Sequence, residues 1–528
     1  MKHFIIKLAL RLTIPVVALC FVFISCEDEK SKSGKKHDPN IQFQAYSFQP
    51  DSGRIRDQFL INGKNFGNDK SLVKVFFNEI DEALVIGCVD EQILVLVPRT
   101  TEGRVEVSLQ IGNQPKKTLP MQFKYKSSRQ VTTVAGSGEN INDFDHGLLD
   151  RTKLNPVYIG IDADENIFVT VGDAPGPSGT TVQDRLVLIN EEENSIRTIL
   201  TRDQGFTHRC TPVVHPETNW VLLGHEEIRD RFLMLDPKSN WAPTLCFIKN
   251  WELGPVDEWY KDGIKDNPAN ENYGRPYPPR PKFSEPALPD VHHYCMLYCE
   301  YDGNYYTRYG RGNNNGHIVR IYPDSWNAEV IGMTPPGATY GMAFNTWRDP
   351  SDPDDLDKSK TWELWFCYAG DDGASADVQH SLCTVDIRDD KTWQEANGDI
   401  GHPLGGRGDQ YYGVMSSFKR LTAQGRGYRD GLIEQSQFAG PRQMSFDRSG
   451  VLYVGDSYNH CIRKVDTRTG VVSVYVGIPE VSSPFSDGNE KDATFREVHG
   501  IVSIETANDY LIYASDWGNR RIRKIAEE

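Results

Sequence analysis

Basic charge is in short supply in this sequence: 58 Lys and Arg stand against 74 Asp and Glu, for a formal net charge of −16. Nucleic acid is thereby excluded as a partner, because binding it rests on neutralising phosphates with Lys and Arg. Long apolar runs are missing too. The one sustained run, residues 12–24, is shorter than the ~20 residues that a membrane-spanning helix needs. The 10 cysteines are scattered, and Cys88, Cys246, Cys367 and Cys461 sit singly inside apolar stretches. Such thiols read as small core residues rather than as a disulfide framework. A strand through His293, Cys295 and Cys299 puts all three on one face, but its two sulfurs start roughly 13 Å apart at ~3.3 Å per residue, too far to share a zinc ion.

Catalytic signatures are equally scarce. No G-x-S-x-G elbow is present, and His225-Glu226 opens a metalloprotease H-E-x-x-H only for Arg229 to occupy the second His position. The acidic stretch at residues 349–357 lacks the spacing of a calcium loop and reads as solvated charge. The glycines of residues 405–408 form too short a run for a phosphate loop, and Arg407-Gly408-Asp409 is a coincidental triplet. The sequence therefore names no catalytic residue, no metal ligand and no cofactor.

What is present is a folded chain, with 38% hydrophobic and 11% aromatic residues. Residues 1–25 have a basic start and an apolar run ending in Ser25, followed by Cys26. This resembles a lipoprotein signal peptide cleaved before Cys26, whose thiol would carry the lipid, although Phe23 stands where Leu is usual. Glu27-Asp28-Glu29 resembles the acidic tag that sends lipoproteins of the Bacteroidota type to the outer cell surface. Residues 26–39 have linker composition. From residue 40 to 126 short alternating runs such as FLING, VKVFFN and VEVSLQI are punctuated by Gly and Asn, the pattern of a β-sandwich. The elements Pro50-x-x-Gly53, Ile61-x-Gly63-x-Asn65-Phe66-Gly67, Phe77-Asn78 and Val97-Pro98 resemble an IPT/TIG domain. That resemblance implies an immunoglobulin-like spacer or interaction module.

The remainder is organised by an internal repeat. Residues 438–464 are echoed at 495–524, so that Tyr453, Asp456, Asn459, Ile462 and Arg463 have counterparts in Tyr513, Asp516, Asn519, Ile522 and Arg523. Each copy holds three short strand-like runs, a small sheet that must stack on neighbours to bury its faces. The motif resembles the NHL repeat, and a weaker copy covers residues 155–173. The repeat aspartates and arginines read as structural, the aspartates as turn caps. VTTVAGSG at residues 131–138 resembles the outer strand VSVYVG at 472–477, and the last repeat lacks that strand. The fold expected is thus all-β, with a six-bladed β-propeller over residues 127–528 closed by an N-terminal outer strand. Six units with inner strands starting at Pro156, Pro212, His293, Tyr340, Pro441 and Val498 run longer than the ~40–45 residues of compact propeller repeats. The excess falls in loops at 249–290, 349–360 and 398–431, where function is expected.

Function is sought where the units differ at one place in the repeat. Aligned starts of the inner strands put Val157, Thr211, His293, Tyr340, Arg442 and His499 in equivalent positions. Either His293, Tyr340, Arg442 and His499 converge on a ligand at a channel mouth, or they plug it with mutual hydrogen bonds. Trp251, Trp259, Tyr260, Tyr273 and Tyr277 of the long loop suit stacking on sugar rings or packing between units. The architecture resembles the glycan-binding accessory lipoproteins of polysaccharide-uptake systems. That resemblance implies a non-catalytic, surface-exposed outer-membrane lipoprotein binding a polysaccharide or oligosaccharide, possibly acidic, beside neighbouring uptake proteins. A lyase or hydrolase acting on a polysaccharide, or a protein-interaction scaffold, is the alternative.

Overall fold

The computed structural model describes residues 34–139, 147–247, 295–388 and 415–527, apart from 80, 101, 173, 176–180, 183, 202–203, 205, 207–209, 225–230, 310–315, 350–351, 353–357, 371–373, 375, 483 and 506–509. Its secondary structure is β-strand with short 3-10 turns. No helix among the described residues is long and apolar enough to cross a membrane.

The N-terminal domain is a sandwich of two sheets. One orders Gln44–Gln49, Gln58–Lys64, Gln92–Leu96 and Leu84–Val89; the other orders Ser52–Gly53, Lys117–Tyr125, Gly103–Ile111, Val73–Phe77 and Asp81–Glu82. The period-two alternation of these strands sends one set of side chains inward. Along Gln58–Lys64, Phe59, Ile61 and Gly63 are buried while their neighbours are not. Phe48, Phe59, Phe77 and Phe123 close the core, with Phe59 and Phe77 meeting Phe123 edge-on at 5.3 and 5.4 Å.

Six larger antiparallel sheets follow, besides a two-stranded ribbon of Ala174–Pro175 and Thr181–Val182. The first orders Pro156–Ile161, Ile167–Val171, Arg185–Asn190 and Ser195–Thr201; the second spans Val213–Val214 to Ala242–Phe247, the third Met296–Tyr298 to Asn327–Thr334, and the fourth Met342–Phe344 to Lys419–Arg420. The fifth runs from Pro441–Phe446 through Val451–Asp456 and Cys461–Asp466 to Val471–Val476. The sixth places Val498–Glu505, Tyr510–Asp516 and Arg521–Glu527 beside Arg129–Ala135, which enters from the far end of the chain and pairs antiparallel with the last strand.

The sheets face one another around a cycle. The strands Ile167–Val171, Val451–Asp456 and Tyr510–Asp516 are buried at every position, as strands covered on both faces must be. Separate apolar clusters join each sheet to the next: Phe168 and Leu186 meet Val221 and Leu233, and Phe232 meets Tyr305. Tyr306 meets Phe366, Trp365 meets Leu452, and Tyr453 meets Ile512. Tyr513 meets Ile167 and so returns the series to the first sheet. The first strands of the six sheets also touch in that cyclic order.

The repeat residues are structural, by a device other than the one expected. Asp456 and Asp516 precede 3-10 turns but cap neither. Each instead accepts a backbone N–H from the entry to its own first strand, Ala439 or Arg496, and faces a fully buried arginine. The pairs are Asp456 with Arg463 at 2.9 Å and Asp516 with Arg523 at 2.8 Å. Among the described residues seven of the eight cysteines are buried and all eight are free thiols; burial pushes those of Cys299 and Cys367 up to about 12.

Candidate functional site

The six first strands enclose a cavity of about 1020 Å³. It is lined by the later residues of those strands and by the segments that follow: 159–163, 211–214 and 216, 296–301, 342–346 and 348, 443–448 and 502–505, with Thr361 and Tyr510. Gln443 lies at its base. That side chain bonds both backbone groups of Ile159, its Nε2 donating to the carbonyl at 2.7 Å and its Oε1 accepting from the N–H at 3.0 Å.

The walls combine ring faces with polar groups. Tyr298, Tyr301 and Phe344 are partly buried and border the cavity from the third and fourth sheets. Tyr298 is held by His215 and Tyr305, with ring centroids at 4.4 and 5.2 Å, and Tyr301 by Trp362. Opposite them the Ser445 and Ser503 hydroxyls bond each other at 2.8 Å. Asp162 and Asp447 occupy the same repeat position and organise the turns after their strands, Asp162 accepting from the N–H of Asp164 and Asn166, Asp447 from those of Ser449 and Val451. Burial raises the Asp162 carboxyl above the usual carboxylate range against those bonds. The rim carries Glu300, Arg348, Arg448 and Glu505, all exposed. Apolar ring faces beside hydroxyls and mixed charge can stack on a sugar ring while bonding its hydroxyls.

The sandwich domain is fastened at this rim. Arg99, in the turn after Gln92–Leu96, donates from Nη1 to Asp447 at 2.5 Å, from Nε to Glu527 at 2.8 Å and from Nη2 to the Tyr453 hydroxyl. Its guanidinium lies 3.7 Å over the Tyr510 ring, and Tyr125 reaches Glu527 at 3.3 Å. Burial among these groups pushes the hydroxyls of Tyr453 and Tyr510 well up, although Arg99 pulls the other way.

The residues singled out from the sequence lie elsewhere. Tyr340 and Arg442 do meet, with the guanidinium 4.9 Å over the ring, and Arg442 also donates to Tyr158. His499 is buried and stacks on Trp517 at 4.8 Å, with its Nε2 4.0 Å from Glu497. All three sit at the starts of their strands, and none lines the cavity. Cys26, Trp251, Trp259, Tyr260, Tyr273, Tyr277 and His293 fall outside the described residues. Among the described residues no three His, Cys, Asp or Glu side chains are grouped as a metal ion requires. Equivalent positions at the strand starts do not include the rim, which the other ends of the same strands form. The turn Asp447-Arg448-Ser449-Gly450 at the other end of the strand carries the signal, an exposed Arg beside an Asp that recurs at Asp162.

Comparisons with known proteins divide the chain in the same way. Residues 44–125 match the IPT/TIG domain family, so the sandwich is an IPT/TIG domain. Over 162 residues, 30% of the chain, the sequence is 29% identical to NHL repeat-containing protein 2 of Bos taurus. The match spans only 19% of that relative's length. Among solved structures, a Bacteroides thetaiotaomicron protein of unknown function superposes with a TM-score of 0.63 at 21% identity, covering 93% of this chain and 100% of the other. An auxiliary nutrient binding protein from the same organism covers 93% and 99% at 18% identity, with a TM-score of 0.49. The chain is therefore an all-β protein that joins an IPT/TIG domain to a unit with NHL-repeat similarity, and the first of these structures shares its fold.

Proposed function

We propose that the six sheets are the blades of one β-propeller, and that the chain is a non-catalytic glycan-binding protein held at the outer cell surface by a lipid on Cys26. The observation that carries the binding role is the cavity of about 1020 Å³ reached by all six first strands, at the upper end of the roughly 300–1,000 Å³ typical of ligand sites. Its partly exposed Tyr298, Tyr301 and Phe344 faces and its ring of hydroxyl, carboxylate and guanidinium groups match the alternating apolar and polar surfaces of a sugar. A polysaccharide or oligosaccharide is the partner, with neighbouring uptake proteins as its destination. The opposite end, with Tyr340, Arg442 and His499, supports a second entry point, because the Arg442 Nε is buried without a partner among the described residues.

The test is a screen of the soluble chain, residues 27–528, against a polysaccharide panel by calorimetry and by product release. Binding without release supports the proposal, whereas released fragments replace it with a lyase or hydrolase. Arg442→Ala then decides the entry point: unchanged affinity assigns the glycan to the wide cavity, and a loss of about 1–3 kcal/mol assigns it to the Arg442 end. Anchoring is tested separately. Because Cys26 is the residue that would carry the lipid, Cys26→Ala should move the protein from the membrane fraction to the soluble one, and unchanged fractionation would sink the anchor.

A further inference from the structure

A second cavity, of about 300 Å³, lies between the IPT/TIG domain and the sheets. Asp81, Glu82 and residues 98–100 wall it on one side, and Trp347, Lys464 and Arg468 on the other. Arg348, Arg448 and Glu505 line this space and also the rim of the central cavity, so the two adjoin at those three side chains. Both domains build the wall between them. Arg99 of the IPT/TIG domain grips Asp447 and covers Tyr510, and both of these line the central cavity. The Asp447 carbonyl in turn accepts from the Thr346 hydroxyl, tying the fifth sheet's turn to the fourth.

We propose that the IPT/TIG domain completes the ligand site, so that an extended oligosaccharide runs from the central cavity across Arg348 and Arg448 and places its outer sugar in the interdomain pocket. This rests on the glycan reading above and adds the course and minimum length of the chain bound. The smaller space is itself as large as the lower bound of roughly 300 Å³ for ligand pockets. Trp347 supplies a ring face, and two guanidinium forks at the junction suit the paired hydroxyls or carboxylate of a sugar. Both arginines are exposed rather than packed into the fold. The Arg448 side chain is 82% exposed, and its one ion pair among the described residues, with Glu505, is at 4.0 Å.

The test uses the soluble chain, residues 27–528, and a ladder of oligosaccharides, from the disaccharide upward, cut from the polysaccharide that binds in the panel. Calorimetry compares wild type with Arg348→Ala, Arg448→Ala and Glu82→Trp, the last of which fills the pocket from an exposed position of the IPT/TIG domain. Wild-type affinity is expected to rise with length until the pocket is reached. Glu82→Trp should then weaken the long members by roughly tenfold or more and leave the shortest unchanged, while Arg348→Ala and Arg448→Ala, which also border the central cavity, should weaken the long members more than the short ones. Equal affinities at every length in wild type and variants would overturn the composite site while leaving the glycan reading intact. A wild type that binds no member of the panel overturns both. Should Glu82→Trp fail to fold, Arg448→Ala still decides, since it changes only an exposed side chain: a loss that grows with ligand length supports the composite site, and one that is the same at every length overturns it.

Discussion

A buried carboxylate against a buried guanidinium is the residue-level device that the last two sheets share. Arg463 and Arg523 are wholly buried, and each meets its repeat aspartate together with a second, half-exposed carboxylate, Asp430 or Asp487. Removing one partner of such a pair leaves an uncompensated charge in a low-dielectric setting, which costs more than the pair contributed. Asp456→Ala and Asp516→Ala should each destabilise the protein by about 3 kcal/mol. Asp430→Ala, at a half-exposed site, should cost no more than about 1 kcal/mol. Urea unfolding checks the order, and equal losses from Asp456→Ala and Asp430→Ala would refute it. The sequence made the structural role of these residues legible because they recur at one position of the repeat. It hid the mechanism, since an Asp before a turn looks like a cap whether or not its side chain turns inward to an arginine seven residues on.

At the scale of the element, the strand that completes the sixth sheet comes from the other end of that unit. Its likeness to VSVYVG made this legible, and Val131 pairs with Ile525 while Thr132 pairs with Lys524. Val131 is fully buried among Ile512, Ile525 and Tyr453, so deleting residues 131–136 both opens a sheet edge and removes core. The same deletion argument takes a new form for the IPT/TIG domain. The resemblance implies a spacer or interaction module, and in the structure Arg99 and Tyr125 fasten that domain to Asp447, Tyr453 and Glu527. Deleting residues 27–126 should therefore lower the melting temperature of the six sheets somewhat, and deleting 131–136 should lower it far more. Identical melting temperatures for the two deletions would contradict the pairing. An arginine that crosses between domains leaves no pattern in a sequence: Arg99 follows a Val-Pro strand ending and resembles any exposed loop residue.

The whole molecule is where sequence reading ran out, because the cavity rim and the domain junction are assembled from turns far apart in the chain. One titratable group reports on that junction. Asp81 of the IPT/TIG domain accepts from the Thr100 hydroxyl at 2.5 Å and lines the interdomain pocket. Burial raises its carboxyl from an ordinary 3.8 to about 6, against the opposing pull of the Thr100 bond, Arg468 and Arg99 and with a smaller push from Asp447. A carboxyl whose folded value is raised binds its proton more tightly when folded than when unfolded. Its burial therefore carries no ionisation penalty below about pH 3.8, an increasing one up to about pH 6, and the full one above. Asp81→Asn keeps an acceptor for Thr100 and has no charge to bury. This variant should exceed wild type in stability by on the order of 3 kcal/mol above pH 6, and the difference should shrink to nothing as the pH falls toward 3.8. Urea unfolding of both proteins across that range measures the difference directly, cancelling the titrations they share. A difference that stays constant with pH would mean that Asp81 is not the group that senses the junction.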